Sequence, residues 1–228
     1  MNPVTLIGTI VVVMLSITTH EASHGFVADR FGDPTARRLG RLTLNPIPHI
    51  DLFFTIVLPA LLILSGSGII VGGAKPVPVN IANLRNPRHD WALVGAAGPL
   101  SNLLIAVLLA AVLSLAVHAG LWTRSSSGSE VLVIGIFVNV LLAVFNLIPI
   151  PPLDGSRVVQ YFLDPEARRL YGSLEQYGLL IILAVVFLLP GFQNALLAVI
   201  LTTVSIISYV FGVSSDVSYV LRVLLAAG

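Results

Sequence analysis

The sequence predicts an all-α polytopic membrane protein of five to six transmembrane helices, with one re-entrant segment and a short β-hairpin or edge strand near its active site. Three observations carry this expectation. Of 228 residues, 56% are hydrophobic and only 10% charged, and the mean hydropathy is +0.97; a soluble domain carries about 25% charged residues. Apolar runs occupy roughly 3–27, 52–71, 92–119, 131–149, 174–189 and 192–212, and a spanning helix needs about 20 residues. Polar connectors at 28–51, 72–91, 120–130 and 150–173 separate them.

The first run has no charged residue before Glu21 and passes directly into His20-Glu21-Ala22-Ser23-His24. It lacks a basic leader, so it reads as a retained helix and not a cleaved signal peptide. In the next connector, Arg41–Leu44 looks extended. The run 52–71 is broken by Pro59, Gly66 and Gly68 and followed by Gly72 and Gly73, a pattern that fits a re-entrant segment shielded by protein. Residues 69–79 look extended, and Pro76 and Pro78 limit them to an edge strand. In the run 92–119, Gly95, Gly98 and Ser101 allow close helix packing, so Asn102 beside them reads as a structural residue. Ser125–Ser129 is a flexible loop. Pro149, Pro151 and Pro152 end the run 131–149 and force an extended stretch up to Asp154-Gly155. The run 174–189 is short, and Pro190-Gly191 turns the chain into 192–212. Trp91 and Trp122 stand at segment ends, as interface aromatics do.

Charge selects the topology. If all six runs span, the basic residues divide five against seven. If 52–71 enters the membrane and returns to its own side, eleven share one side and Arg124 stands alone opposite. The positive-inside rule favours the second arrangement: five spans, N-terminus outside, C-terminus in the cytoplasm.

The chemistry begins at the first histidine pair. On a helix, His20 and His24 are one turn apart and share a face, so both imidazoles can reach one metal ion, and His-Glu-x-x-His is the zinc-binding pattern of metalloproteases. Glu21 flanks the pair and can take a proton from an attacking water. Ionisable residues within a membrane segment are costly and functional by default. The chain has no cysteine, so a third ligand must be His, Asp or Glu. Asp154 is the best candidate, because the five-span arrangement brings it to the same membrane face as the histidines and the six-span arrangement does not. His20 lies nine residues before Asp29, so at about 1.5 Å per residue it sits roughly 13 Å inside, and water must reach it through a polar channel.

These residues resemble the site-2 protease family, the intramembrane zinc metalloproteases of peptidase family M50. The resemblance covers most of 1–170. It rests on the His20–His24 motif, Gly98-Pro99-Leu100-Ser101-Asn102, Asn146-Leu147-Ile148-Pro149 and Leu153-Asp154-Gly155. Gly32–Ala36 with Leu44-Asn45-Pro46, and Ala74–Asn80, resemble the small bacterial branch without PDZ or CBS domains. His49-Ile50-Asp51-Leu52 departs from the Asp-Pro-x-Gly continuation usual in that branch. The resemblance implies one zinc ion per chain on His20, His24 and Asp154, Glu21 as the acid/base, and Asn146 as a substrate-binding residue.

The expected organisation is a metalloprotease core at 1–173 and a C-terminal transmembrane hairpin with a cytoplasmic tail at 174–228. The expected function is regulated intramembrane proteolysis: an endopeptidase in the cell membrane that cuts transmembrane segments of other proteins. The edge strand at 69–79 would capture the unwound substrate by strand addition. The expected partners are a transmembrane protein or peptide and the bilayer, without nucleic acid. A metal transporter and a non-catalytic scaffold are the competing classes. The first would show repeated halves, which this sequence lacks. The intact set of His20, Glu21, His24 and Asp154 argues against the second.

Overall fold

The computed structural model describes residues 2–51, 57 and 73–226. Helix α1 (Pro3–Arg30) starts where the Asn2 side chain accepts from the Thr5 amide at 2.8 Å and Pro3 sets the first turn. It passes through the His-Glu-x-x-His motif without a break. A single turn, α2 (Thr35–Arg38), leads into the connector. Helix α3 (Pro87–His118) again opens on proline, and α4 (Ser127–Asn146) is capped by Ser126, which accepts from the Ser129 amide. The proline run then delays the next helix until α5 (Asp154–Phe162). Asp164 caps α6 (Pro165–Ser173), and a 3₁₀ turn joins it to α7 (Gly178–Leu188). Gly191, at φ 80°, makes the left-handed turn into α8 (Phe192–Val210), and α9 (Ser214–Ala226) follows.

Five stretches are long and apolar enough to cross a membrane: Pro3–Arg30, Pro87–His118, Ser127–Asn146, Pro165–Leu188 and Phe192–Val210. They coincide with five of the six predicted runs. The sixth, the expected re-entrant segment 52–71, lies outside the described residues. Its flanks do not: the Lys75 amide donates to the His49 carbonyl at 2.8 Å, so the chain on either side of it meets at one place.

Helices α1, α3 and α4 pack together, with α8 on the outer face of α4. Ala106 and Ala110 let α3 approach closely, and Leu113, Val133, Ile136, Val140, Ile200 and Val204 fill the space between α3, α4 and α8.

Two expectations need correction. Among the described residues there is no strand. Residues 73–79 have no regular secondary structure and form no ladder: Pro76 and Pro78 have no N–H, and the Val77 amide between them donates to the Glu21 carboxylate at 2.9 Å. Arg41–Leu44 forms a bend, not a strand.

Tyr171 Oη donates to the Pro149 carbonyl, Gly178 sits against Pro152, and Ile182, Val185, Val186 and Phe192 gather on Phe145, Ile148 and Ile150. All of these lie at the end of the bundle that carries Asp154. Helix α8 then runs to the opposite end, where Ser114 Oγ donates to the Phe211 carbonyl and Arg124 pairs with Asp216 at 3.1 Å. Asn2 is at that far end too, bonded to Ser127. The start of α9, at Asp216, is therefore at the same end of the bundle as Asn2.

Candidate metal centre

The site is built where α1, α3 and the start of α5 meet. His20 Nε2 and His24 Nε2 lie 3.1 Å apart. Asp154 Oδ2 lies 3.1 Å from the first and 3.2 Å from the second. All three residues are buried, and their ligand atoms fall within 4.8 Å of one another, a set that can hold a metal ion. The spacing predicted from the helix turn is realised, and α5 brings the carboxylate across.

Both imidazoles are fixed from behind. His24 Nδ1 is 2.6 Å from the Val94 carbonyl. A carbonyl only accepts, so Nδ1 carries the hydrogen and Nε2 keeps its lone pair for a metal. His20 Nδ1 donates to Asn102 Oδ1 at 2.6 Å. That amide is oriented in turn. Asn102 Nδ2 donates to Asn139 Oδ1 at 2.9 Å, and Asn139 Nδ2 donates to the Gly135 carbonyl and to Ser16 Oγ, each at 2.8 Å. The Gly135 carbonyl thus sets Asn139, Asn139 sets Asn102, and Asn102 sets the His20 tautomer.

Gly98 lets α3 pass beneath the pair. A Cβ there would stand 2.5 Å from His24 Nε2 and 2.6 Å from His20 Nε2, so any larger residue would occupy the space of the ligands. The Arg157 guanidinium, 3.0 Å from Asp154 Oδ1, favours the ionised form of the carboxyl. Asp154 is therefore available as an anionic ligand.

Glu21 lies on the same helix, and its Oε2 accepts from the Val77 amide. Asn146 is at the end of α4, where its amide donates to the Leu142 carbonyl at 2.9 Å; no hydrogen bond among the described residues joins it to the three ligand candidates. Sequence reasoning treated Asn102 as a packing residue and passed over Asn139, Ser16 and Arg157. Only the spacing Gly98-Pro99-Leu100-Ser101-Asn102 could have drawn attention to Asn102. Asn139 is an isolated polar residue in an apolar helix, a signal that was present and unused.

The peptidase family M50 pattern matches residues 123–189, which include Asp154. "Putative zinc metalloprotease YwhC" of Bacillus subtilis is 39% identical over 184 residues, covering 79% of this chain and 80% of that protein. The chain belongs to peptidase family M50. "Putative zinc metalloprotease Rip2" of Mycolicibacterium smegmatis is 33% identical over 188 residues, 79% of this chain and 68% of that protein. "Zinc metalloprotease MJ0392" of Methanocaldococcus jannaschii is 23% identical over 206 residues, 90% of this chain and 48% of that protein. No solved structure matches. Family membership and five apolar helices identify a multi-pass membrane metalloprotease.

Proposed function

We propose that this M50 protein is an intramembrane zinc endopeptidase that cuts transmembrane segments of other membrane proteins, and so carries out regulated intramembrane proteolysis. The reading is carried by one observation: two imidazole nitrogens from α1 and a carboxylate oxygen from the start of α5 converge, each imidazole with its other nitrogen already occupied. His20, His24 and Asp154 are the residues that would hold one zinc ion. When bound, zinc supplies Lewis acidity toward the scissile carbonyl and makes water at the site more acidic.

Glu21 takes the proton from the attacking water and returns it to the leaving amine. The Val77 amide holds one of its oxygens, leaving the other for the transfer. Asn146, one turn of chain before the prolines, would receive the unwound substrate backbone. The fold supports residues 1–173 as the catalytic core, with α8 and α9 bracing α4 from outside. Of the twelve basic residues, Arg124 stands at the far end of the bundle, paired with Asp216, whereas Arg37, Arg41, Arg88, Arg157 and Arg168 bond to residues of the site end. By the positive-inside rule the site end is cytoplasmic, and both termini are outside the cell membrane.

The test compares wild type with Glu21→Gln in detergent. Zinc in both with cleavage of transmembrane peptides in wild type alone supports the reading. Cleavage by Glu21→Gln at the wild-type rate would overturn the role of Glu21.

A further inference from the structure

Asp154 has two oxygens with different neighbours. Oδ2 faces both histidines, whereas Oδ1 receives Arg157 Nη1 at 3.0 Å, one turn along α5. Arg157 is itself held. Its guanidinium lies 4.6 Å from the centroid of the Trp91 ring, on α3, a distance at which cation and ring attract. Gly95, on the same face of α3 as Trp91, makes room for the arginine stem: a Cβ there would stand 2.7 Å from Arg157 Cβ. Guanidinium nitrogens only donate and stay charged, so they cannot compete for the metal, and they bind a carboxylate oxygen in a directed way.

We propose that Arg157, stacked on Trp91, is a positioning residue that ties up Asp154 Oδ1 and presents Oδ2 alone to the metal. The inference rests on the reading of His20, His24 and Asp154 as the metal site. A carboxylate free to rotate can offer either oxygen or both, and the preorganised single donor is lost. Partners of this kind typically contribute ten- to hundredfold to metal affinity. Trp91 fixes the guanidinium plane and shields the ion pair, whose arginine side chain is 25% exposed, from water.

The experiment measures metal binding to the full-length chain in detergent by chelator competition with zinc, and the visible spectrum after cobalt substitution. Arg157→Gln is expected to lower zinc affinity ten- to hundredfold and to shift the cobalt bands as the carboxylate changes its mode of binding. Arg157→Lys keeps the charge without the planar fork, and is expected to recover part of the affinity but not the wild-type spectrum. Trp91→Leu leaves the ion pair in place and is expected to shift the same bands in the same direction, which covers the case in which Arg157→Gln does not fold. Wild-type affinity and spectrum in a folded Arg157→Gln or Arg157→Lys protein, or an unchanged spectrum in Trp91→Leu, would overturn the proposal while leaving the metal site intact. An Asp154→Asn protein that binds zinc as wild type does would overturn both.

Discussion

At the scale of single residues, the costly feature is polar chemistry held inside apolar helices. Asn102, Asn139 and Ser16 are all buried, and each would be expensive there without partners. They satisfy one another and end on His20, so the stabilising network and the ligand-orienting network are the same atoms. Asn102→Ala removes the acceptor from His20 Nδ1. Chelator competition is expected to show a ten- to hundredfold loss of zinc affinity; an unchanged value would mean that the tautomer is set elsewhere. The sequence made the cluster of His20, His24 and Asp154 legible, because the two histidines follow a helical spacing and Asp154 is the acid that ends a proline-forced turn. It did not make Asn102 legible as an orienting residue, because a Gly-Pro-rich helix face gives the same pattern whether it packs or positions. Only the 2.6 Å contact separates the two.

At the scale of elements, the connector around 73–83 is tied down at three points. Arg41 Nη2 donates to the Lys75 carbonyl at 2.6 Å, Val77 holds Glu21, and the fully buried Asp33 accepts from Thr35, from the Asn80 amide and from the Asn83 side chain. That residues 73–79 form no helix was readable from their prolines. The partner of this stretch was not, because an isolated donor between two prolines can serve a strand or a side chain equally well. The two roles separate by mutation. The Val77 amide has a partner in Glu21, whereas the Val79 amide has none among the described residues. Val77→Pro is expected to lower peptide cleavage at least tenfold with zinc retained, and Val79→Pro to leave cleavage near wild type; equal loss in both would restore the strand-addition role. Asp33 supplies a pH-dependent part of stability. Burial raises its pKa, but hydrogen bonds from Thr35, Asn83 and Asn80 outweigh it, so the folded-state value is below the ordinary one. A lowered carboxyl contributes fully above its unfolded pKa of about 3.9 and loses that contribution as pH falls through the folded value. Asp33→Ala is expected to cost about 3 kcal/mol at neutral pH, since several donors lose a charged acceptor. The gap between the two proteins should narrow steadily in unfolding measurements below pH 4, and a gap independent of pH would contradict this.

At the scale of the whole molecule, the structure brings His20, His24 and Asp154 to one place, as the five-span arrangement requires. The hydrogen bond from the Lys75 amide to the His49 carbonyl brings the two flanks of 52–71 to one place. Hydropathy reports burial in lipid or protein alike: in the run 174–189, Ile182, Val185 and Val186 line a cavity with Phe145, Ile148 and Ile150, while Leu179, Leu180, Phe187 and Leu188 are exposed. The absence of cysteine permits a direct test. Single cysteines at Ser125 and Ser218 are expected to react with a membrane-impermeant thiol reagent from one side of sealed vesicles, and a cysteine at Arg38 from the other. Labelling of positions 218 and 38 from the same side would contradict the arrangement. The central claim is that one zinc ion is held jointly by α1 and the start of α5. The most direct measurement is the zinc content per chain of purified wild type, Glu21→Gln and Asp154→Asn proteins after brief exposure to a chelator. The account predicts one zinc per chain in the first two and a loss in the third. Zinc retained in full by Asp154→Asn, or absent from wild type, would contradict it.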